Sequence, residues 1–217
     1  GTSYRLDIGD CRGMDGFYQS GLIHFVFSAD DQGYSGIRYH RLDPKVLDGN
    51  KFEIFSSSDL KDYCYPSISA FTSSTNDQTA VIHFASSGEN DYPEMRAKIF
   101  HSDFSSDPSI LIKQGPGPQT NCYNSTKESA RWGDYSGIAR HYSGSSPKLW
   151  VAGSVGNNTN GKWWTYIAEI NSEVNSVSDQ KEINSINSFP NPAIDRINFA
   201  IEFNTNKMVQ FNILDDR

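Results

Sequence analysis

The residue types that could do chemistry in this 217-residue chain are five histidines, three cysteines and the polar and aromatic residues of its turns. The histidines never occur in a His-x-x-x-His arrangement, and the cysteines lack metal-ligand spacing. No Gly-x-Ser-x-Gly nucleophile elbow and no phosphate-binding loop occurs. The sequence therefore predicts neither a metal site nor a set of catalytic residues.

Several turns combine aromatic side chains with acidic or amide groups, a composition that suits the binding of a glycan or a peptide by stacking and hydrogen bonding. The candidate ligand-binding residues are Tyr34, Tyr92, Trp132, Asp134 and Trp163. Solvated loops have the same composition, so both interpretations stay open. The carboxylates of Asp30, Asp31 and Asp91 could hold Ca²⁺, although no spacing supports this. The cofactor is otherwise unknown.

Composition and charge narrow the class of protein. Aromatic residues make up 13% of the chain and glycines number 17, which favours short strands joined by tight turns. The net charge of −7 argues against nucleic acid, whose phosphates require a basic surface. No run of 18 apolar residues and no signal peptide is found, so we expect no membrane span and an internal piece of a longer protein.

The cysteines Cys11, Cys64 and Cys122 permit either one disulfide with a thiol left over or three reduced thiols. Sequence alone does not fix the connectivity, so both alternatives stay open.

Alternating strands recur with a period of about 60 residues. The triplet Ile-His-Phe at 23–25 returns at 82–84, and Leu-Trp-Val takes the same place at 149–151. Four short strands per repeat are typical of β-propeller blades, although a β-sandwich also strings strands between turns. We predict an all-β fold: a partial β-propeller with blades at 10–56, 64–114 and 131–171, preceded at 1–9 by the outer strand of another blade. Three blades cannot close a ring.

The last repeat carries a specific resemblance. Residues 131–138 read Arg-Trp-Gly-Asp-Tyr-Ser-Gly-Ile, and 149–153 read Leu-Trp-Val-Ala-Gly. This arrangement resembles the last blades of secreted sialidase-like (BNR-type) propellers of Bacteroidetes. The resemblance implies a secreted or cell-surface binding or structural module of the adhesin kind. The alternative is a secreted hydrolase, a glycosidase or sialidase-like enzyme, with its catalytic residues in N-terminal blades outside this sequence. The sialidase Asp-box is only echoed by 28–33.

The C-terminal residues differ in composition from the repeats. Residues 172–188 are rich in Ser and Asn and lack aromatic residues, so they are predicted to form a flexible linker. An alternating strand at 197–203 is predicted to form a hairpin with 208–214 across 204–207.

The stretch from 189 onwards is similar to the start of the type IX secretion C-terminal sorting domain, a small β-sandwich. The residues that carry the similarity are Pro190, Asn191, Pro192, Ala193, Asp195 and Ile197. The family's later motifs do not occur before Arg217, so 189–217 is interpreted as a truncated sorting domain. The resemblance implies export across the outer membrane to the cell surface or medium, with the translocon and a shuttle protein as partners. A further alternative is a cargo fragment bound to the translocon.

Overall fold

The structure is a computed structural model that describes residues 5–7, 9, 11–46, 50–56, 60–71, 74, 76–120, 129–131, 133, 136–141, 147–158, 161–171, 183–189 and 198–203. Every regular element in these ranges is a β-strand, which confirms the all-β fold class. The chain divides into two compact units, Gly1–Ser178 and Asp179–Arg217.

The strands form three antiparallel sheets and two smaller pairs. In chain order they are β1 (Arg5–Asp7), β2 (Asp15–Gln19), β3 (Leu22–Asp31), β4 (Tyr34–Leu42), β5 (Lys51–Phe55), β6 (Lys61–Ala70), β7 (Ala80–Gly88), β8 (Glu94–Phe100), β9 (Ile110–Gln114), β10 (Ser129–Arg131), β11 (Gly137–His141), β12 (Lys148–Gly156), β13 (Trp163–Asn171), β14 (Ile183–Phe189) and β15 (Asn198–Phe203). Sheet I is β2-β3-β4-β5, sheet II is β6-β7-β8-β9 and sheet III is β11-β12-β13. Each sheet joins its strands in sequence order, as expected from the repeat.

Two-residue turns set the register of sheet I. Ser20 and Gly21 connect β2 to β3, and Gln32 and Gly33 connect β3 to β4. All four residues have positive φ, between 53° and 88°. This is the type I′ geometry, whose twist matches that of the flanking strands.

The core of the first unit lies in two layers, one on each face of sheet II. Val26, Ile37 and Tyr39 of sheet I pack against a sheet II cluster that includes Ile82 and Phe84. Alternate residues of sheet II face the other way and pack on sheet III; this second cluster includes Val81, Met95, Leu149, Val151 and Ile170. Because side chains alternate along a strand, β7 contributes to both layers and is buried on both faces. The sheets therefore stack in the order I, II, III.

The predicted blades correspond to sheets with some differences at their ends. Sheet III has three strands in the described part of the chain, where the sequence predicted four. β10, of which only Arg131 falls within the third predicted blade, pairs in parallel with β1. The assignment of 1–9 to the outer strand of a preceding blade stays a prediction.

A strand lies at the C-terminal end of the predicted linker 172–188, and the linker itself stays a prediction. Residues 183–188 belong to β14, which pairs in antiparallel fashion with β15. Backbone hydrogen bonds hold such a pair, so a strand needs no aromatic residue. The described partner of β15 is therefore β14. The predicted partner, 208–214, and the motif residues 190–197 lie outside the described residues.

Candidate functional site

Three of the five candidate ligand-binding residues lie at equivalent places in the three sheets. Tyr34 follows the β3–β4 turn, Tyr92 lies in the β7–β8 turn and Trp163 ends the β12–β13 turn. Their side chains are 36%, 46% and 47% exposed. We call the border of the stack formed by these turns the turn edge.

Hydrogen bonds join the first two turns of the turn edge. The backbone N–H of Ser35 donates to Asp62 Oδ1 at 2.7 Å, and its hydroxyl donates to the carbonyl of Tyr63 at 2.7 Å. The neighbouring Lys61 reaches Asp91 of the β7–β8 turn, with Nζ 3.1 Å from Oδ2. The start of β6 therefore ties the Tyr34 turn to the Tyr92 turn.

A close backbone contact joins the second and third turns. The N–H of Gly156 donates to the carbonyl of Pro93 at 2.9 Å, and Gly156 lies opposite Trp163 in the β12–β13 ladder. A Cβ on Gly156 would lie 2.1 Å from the carbonyl oxygen of Gly117. Only glycine fits there, so the approach of the two turns depends on that residue.

A balanced group of charges lies beside the Tyr92 turn. Glu94 is buried, and its Oε1 is 2.7 Å from Arg96 Nη1 and 3.6 Å from Lys61 Nζ. Lys61 also pairs with Asp91, and Arg96 Nε donates to Ser109 Oγ at 3.2 Å. Two cations and two carboxylates thus neutralise each other, an arrangement that supports the turn edge rather than offering a vacant cation to an acidic ligand.

The remaining two candidate residues, Trp132 and Asp134, lie outside the described residues. Gly133 between them packs on the ring of Tyr65, which a Cβ at that position would approach to 2.9 Å. Ser136 Oγ donates to the Tyr65 carbonyl at 2.6 Å. Gly133 and Ser136 thus contact β6 at Tyr65, a residue that the sequence analysis missed.

Gln119 is a second residue that the sequence did not reveal. It is buried after β9, and neither side-chain atom of its amide has a hydrogen-bond partner in the described part of the structure. The next residue, Thr120, donates its N–H to the carbonyl of Gly161 in the β12–β13 turn at 3.0 Å. Nothing in its sequence context marks this buried amide.

The carboxylates considered for Ca²⁺ are engaged elsewhere or solvated. Asp31 accepts a hydrogen bond from Ser56 Oγ at 2.5 Å, Asp91 pairs with Lys61, and Asp30 is exposed. Among the described residues, no three His, Cys, Asp or Glu side chains are grouped as a metal would require.

Of the cysteines, Cys11 is exposed and carries a free thiol. Cys64 is buried with its Sγ 3.8 Å from the carbonyl oxygen of Ala85. Cys122 lies outside the described residues.

The repeated histidines are buried between sheets. His24 lies 2.7 Å from the Tyr39 hydroxyl through Nδ1 and 3.0 Å from Gln78 Oε1 through Nε2. Burial lowers its pKa to about 4, and the charge of Arg41 acts in the same direction. Burial also lowers the pKa of His83 to about 4. Both are neutral at physiological pH and lie within the packing, away from the turn edge.

Comparison with known proteins adds no identity. No protein-family model matches the chain, and no curated protein or solved structure is significantly similar to it. In the described residues, no helix is long and apolar enough to cross a membrane.

Proposed function

We propose that the chain is part of an exported β-propeller that binds a glycan or a peptide through its turn edge. Three stacked antiparallel sheets, of which the middle one is buried on both faces, support the propeller architecture. The observation that carries the binding role is the turn edge itself, because hydrogen bonds hold three half-exposed aromatic residues on one border. Exposed aromatic side chains beside hydrogen-bonding groups are common in recognition surfaces.

Binding is tested with Tyr92→Ala and Trp163→Ala. A glycan array and a peptide array probed with the wild-type protein identify a ligand, whose affinity is then measured by calorimetry. Each substitution is expected to weaken binding about tenfold or more, since aromatic anchors dominate such surfaces. The matched control is Leu111→Ala, which removes an exposed apolar side chain from β9, away from the turns. Equal affinities for all three variants would contradict the proposed site.

Export through the type IX system is the second part of the proposal. It is supported by the Pro-Asn-Pro-Ala-x-Asp-x-Ile pattern at 190–197 and by the division of the chain into two compact units, the second of which is Asp179–Arg217. The protein would then act outside the cell or on its surface, with the translocon and its shuttle protein as partners.

A deletion from Phe189 to the end of the polypeptide, made in the native host, tests the export route. We expect the truncated protein to accumulate in the periplasm, as measured by immunoblots of cell fractions. The control is Leu111→Ala in the full-length protein, which should be exported normally. Normal secretion of the truncated protein would refute the sorting assignment.

A further inference from the structure

Sheets I and III each have one face that points away from sheet II, and each of these faces carries exposed apolar side chains. On sheet I this face includes Phe25 and Phe52, whose rings stack on His40 at centroid distances of 4.8 Å and 5.4 Å. Phe52 is 58% exposed. On sheet III it includes Trp150 and Ile167, which are 40% and 47% exposed. Exposed apolar side chains grouped on one face are typical of an interaction site.

The repeat shows what normally covers the sheet I face. Phe25 is the equivalent of Phe84 in sheet II and of Val151 in sheet III. Phe84 is fully buried against sheet I, where it contacts Phe55, and Val151 is fully buried against sheet II. In both cases the cover is the preceding sheet of the stack. The face of sheet I that carries Phe25 is therefore shaped for a preceding sheet.

The sheet III face is equivalent to the opposite side of that interface. Trp150 takes the place of His24 and His83 in the repeat. Both histidines are fully buried against the following sheet: His24 bonds to Gln78, just before β7, and His83 touches Gly153 of β12. The face that carries Trp150 is therefore shaped for a following sheet.

We propose that a second copy of this chain covers both faces. Sheet III of one copy packs on sheet I of the other, head to tail, and two such contacts close a ring of six sheets. Each chain carries both complementary faces. The contact between sheet III of one copy and sheet I of the other repeats the interfaces that join sheets I, II and III within a chain. A propeller usually has four to eight blades, so six sheets fall within the usual range. A head-to-tail contact produces a closed ring, rather than an open filament, when the rotation between the copies brings the last face back to the first. The inference rests on the propeller proposed above but not on the export route.

Molar mass by light scattering and sedimentation velocity tests the proposal on the 217-residue protein. We expect twice the chain mass of 24.3 kDa, with dissociation on dilution. Trp150→Glu and Phe52→Glu should each raise the dissociation constant at least about tenfold, because each places a charge at the contact. Leu111→Glu, an exposed apolar residue of the middle sheet, should leave the mass unchanged. Circular dichroism melts confirm that the variants fold.

Mixing the two variants distinguishes a head-to-tail contact from a symmetric one. Trp150→Glu retains an intact sheet I face, and Phe52→Glu retains an intact sheet III face. A mixture should therefore restore one contact and form a heterodimer, whereas each variant alone stays monomeric. A monomeric wild-type protein would overturn the inference, as would a Phe52→Glu variant that dimerises with the wild-type dissociation constant. Neither result would bear on ligand binding or secretion, which are measured separately.

Discussion

Replacing Phe84 with alanine is expected to lower the free energy of unfolding by about 3–5 kcal/mol, the usual cost of removing a fully buried phenylalanine. Phe84 is completely buried between sheets I and II. Its ring meets Tyr63 at a centroid distance of 4.6 Å and Phe55 of sheet I at 5.6 Å. The substitution leaves a cavity that rigid strands on both sides cannot close. Because the total stability of a domain is only about 5–15 kcal/mol, this single change threatens the fold.

Urea titrations followed by tryptophan fluorescence measure this loss as a shift of the unfolding midpoint. Leu111→Ala is the control, since Leu111 is 42% exposed and truncating its side chain leaves no enclosed cavity. We expect the control to cost less than about 1 kcal/mol. Similar midpoints for the two variants would show that sheets I and II do not share a packed interface.

Phe84 also illustrates how much of the fold the sequence predicted. The repeated Ile-His-Phe triplet located β3 and β7 and placed them at equivalent positions, because alternation and repetition are both visible in one dimension. The sequence does not show which neighbouring sheet covers each face of β3 and β7. Both Phe25 and Phe84 are aromatic residues of second strands, yet only the latter is fully buried.

Strand β6 shows a local feature that the sequence obscures. It runs from Lys61 to Ala70 although Pro66 cannot donate to the ladder and Tyr65 has a φ of 52°. A bulge between Cys64 and Ser67 accommodates both residues. Proline within a strand normally indicates a break, whereas β6 continues across Pro66. Contacts from Gly133 and Ser136 hold Tyr65 in place, and those contacts are tertiary.

Part of the candidate site could likewise be predicted from the sequence and part could not. Tyr34, Tyr92 and Trp163 could be found because aromatic residues in turns stand out against the strands. The bonds that join their turns, from Ser35 to Asp62 and from Gly156 to Pro93, link residues far apart in the chain and have no local signature.

The second large effect expected is a loss of stability in acid, caused by the two buried histidines. The pKa of each is lowered from 6.5 to about 4 in the folded protein. Below pH 6.5 the unfolded chain therefore binds protons that the folded chain does not. The contribution of these histidines to the free energy of unfolding is fully present above pH 6.5. It is lost progressively as the pH drops towards 4. A shift of this size corresponds to roughly 3 kcal/mol for each histidine.

His83 is the cleaner residue with which to test this pH dependence. Its Nδ1 is 3.3 Å from Ser67 Oγ, and its Nε2 has no hydrogen-bond partner in the described structure. Protonation would give the buried ring two N–H donors, for which the Ser67 hydroxyl is the one described acceptor, and would leave a charge beside the backbone of Gly153. His83→Leu removes this titration while keeping an apolar side chain of similar size.

Urea titrations at pH 7.5, 6, 5 and 4.5 measure the free energy of unfolding for the wild type and the variant. Between pH 6 and 4.5 the slope for His83→Leu should be shallower by about 1.4 kcal/mol per pH unit, which is one proton's worth of linkage. Val81→Ala, which weakens the same interface without removing a titratable group, should keep the wild-type slope. If His83→Leu also kept that slope, the imidazole would have to be charged in the fold or open to water. Either condition would contradict a closed interface between sheets II and III.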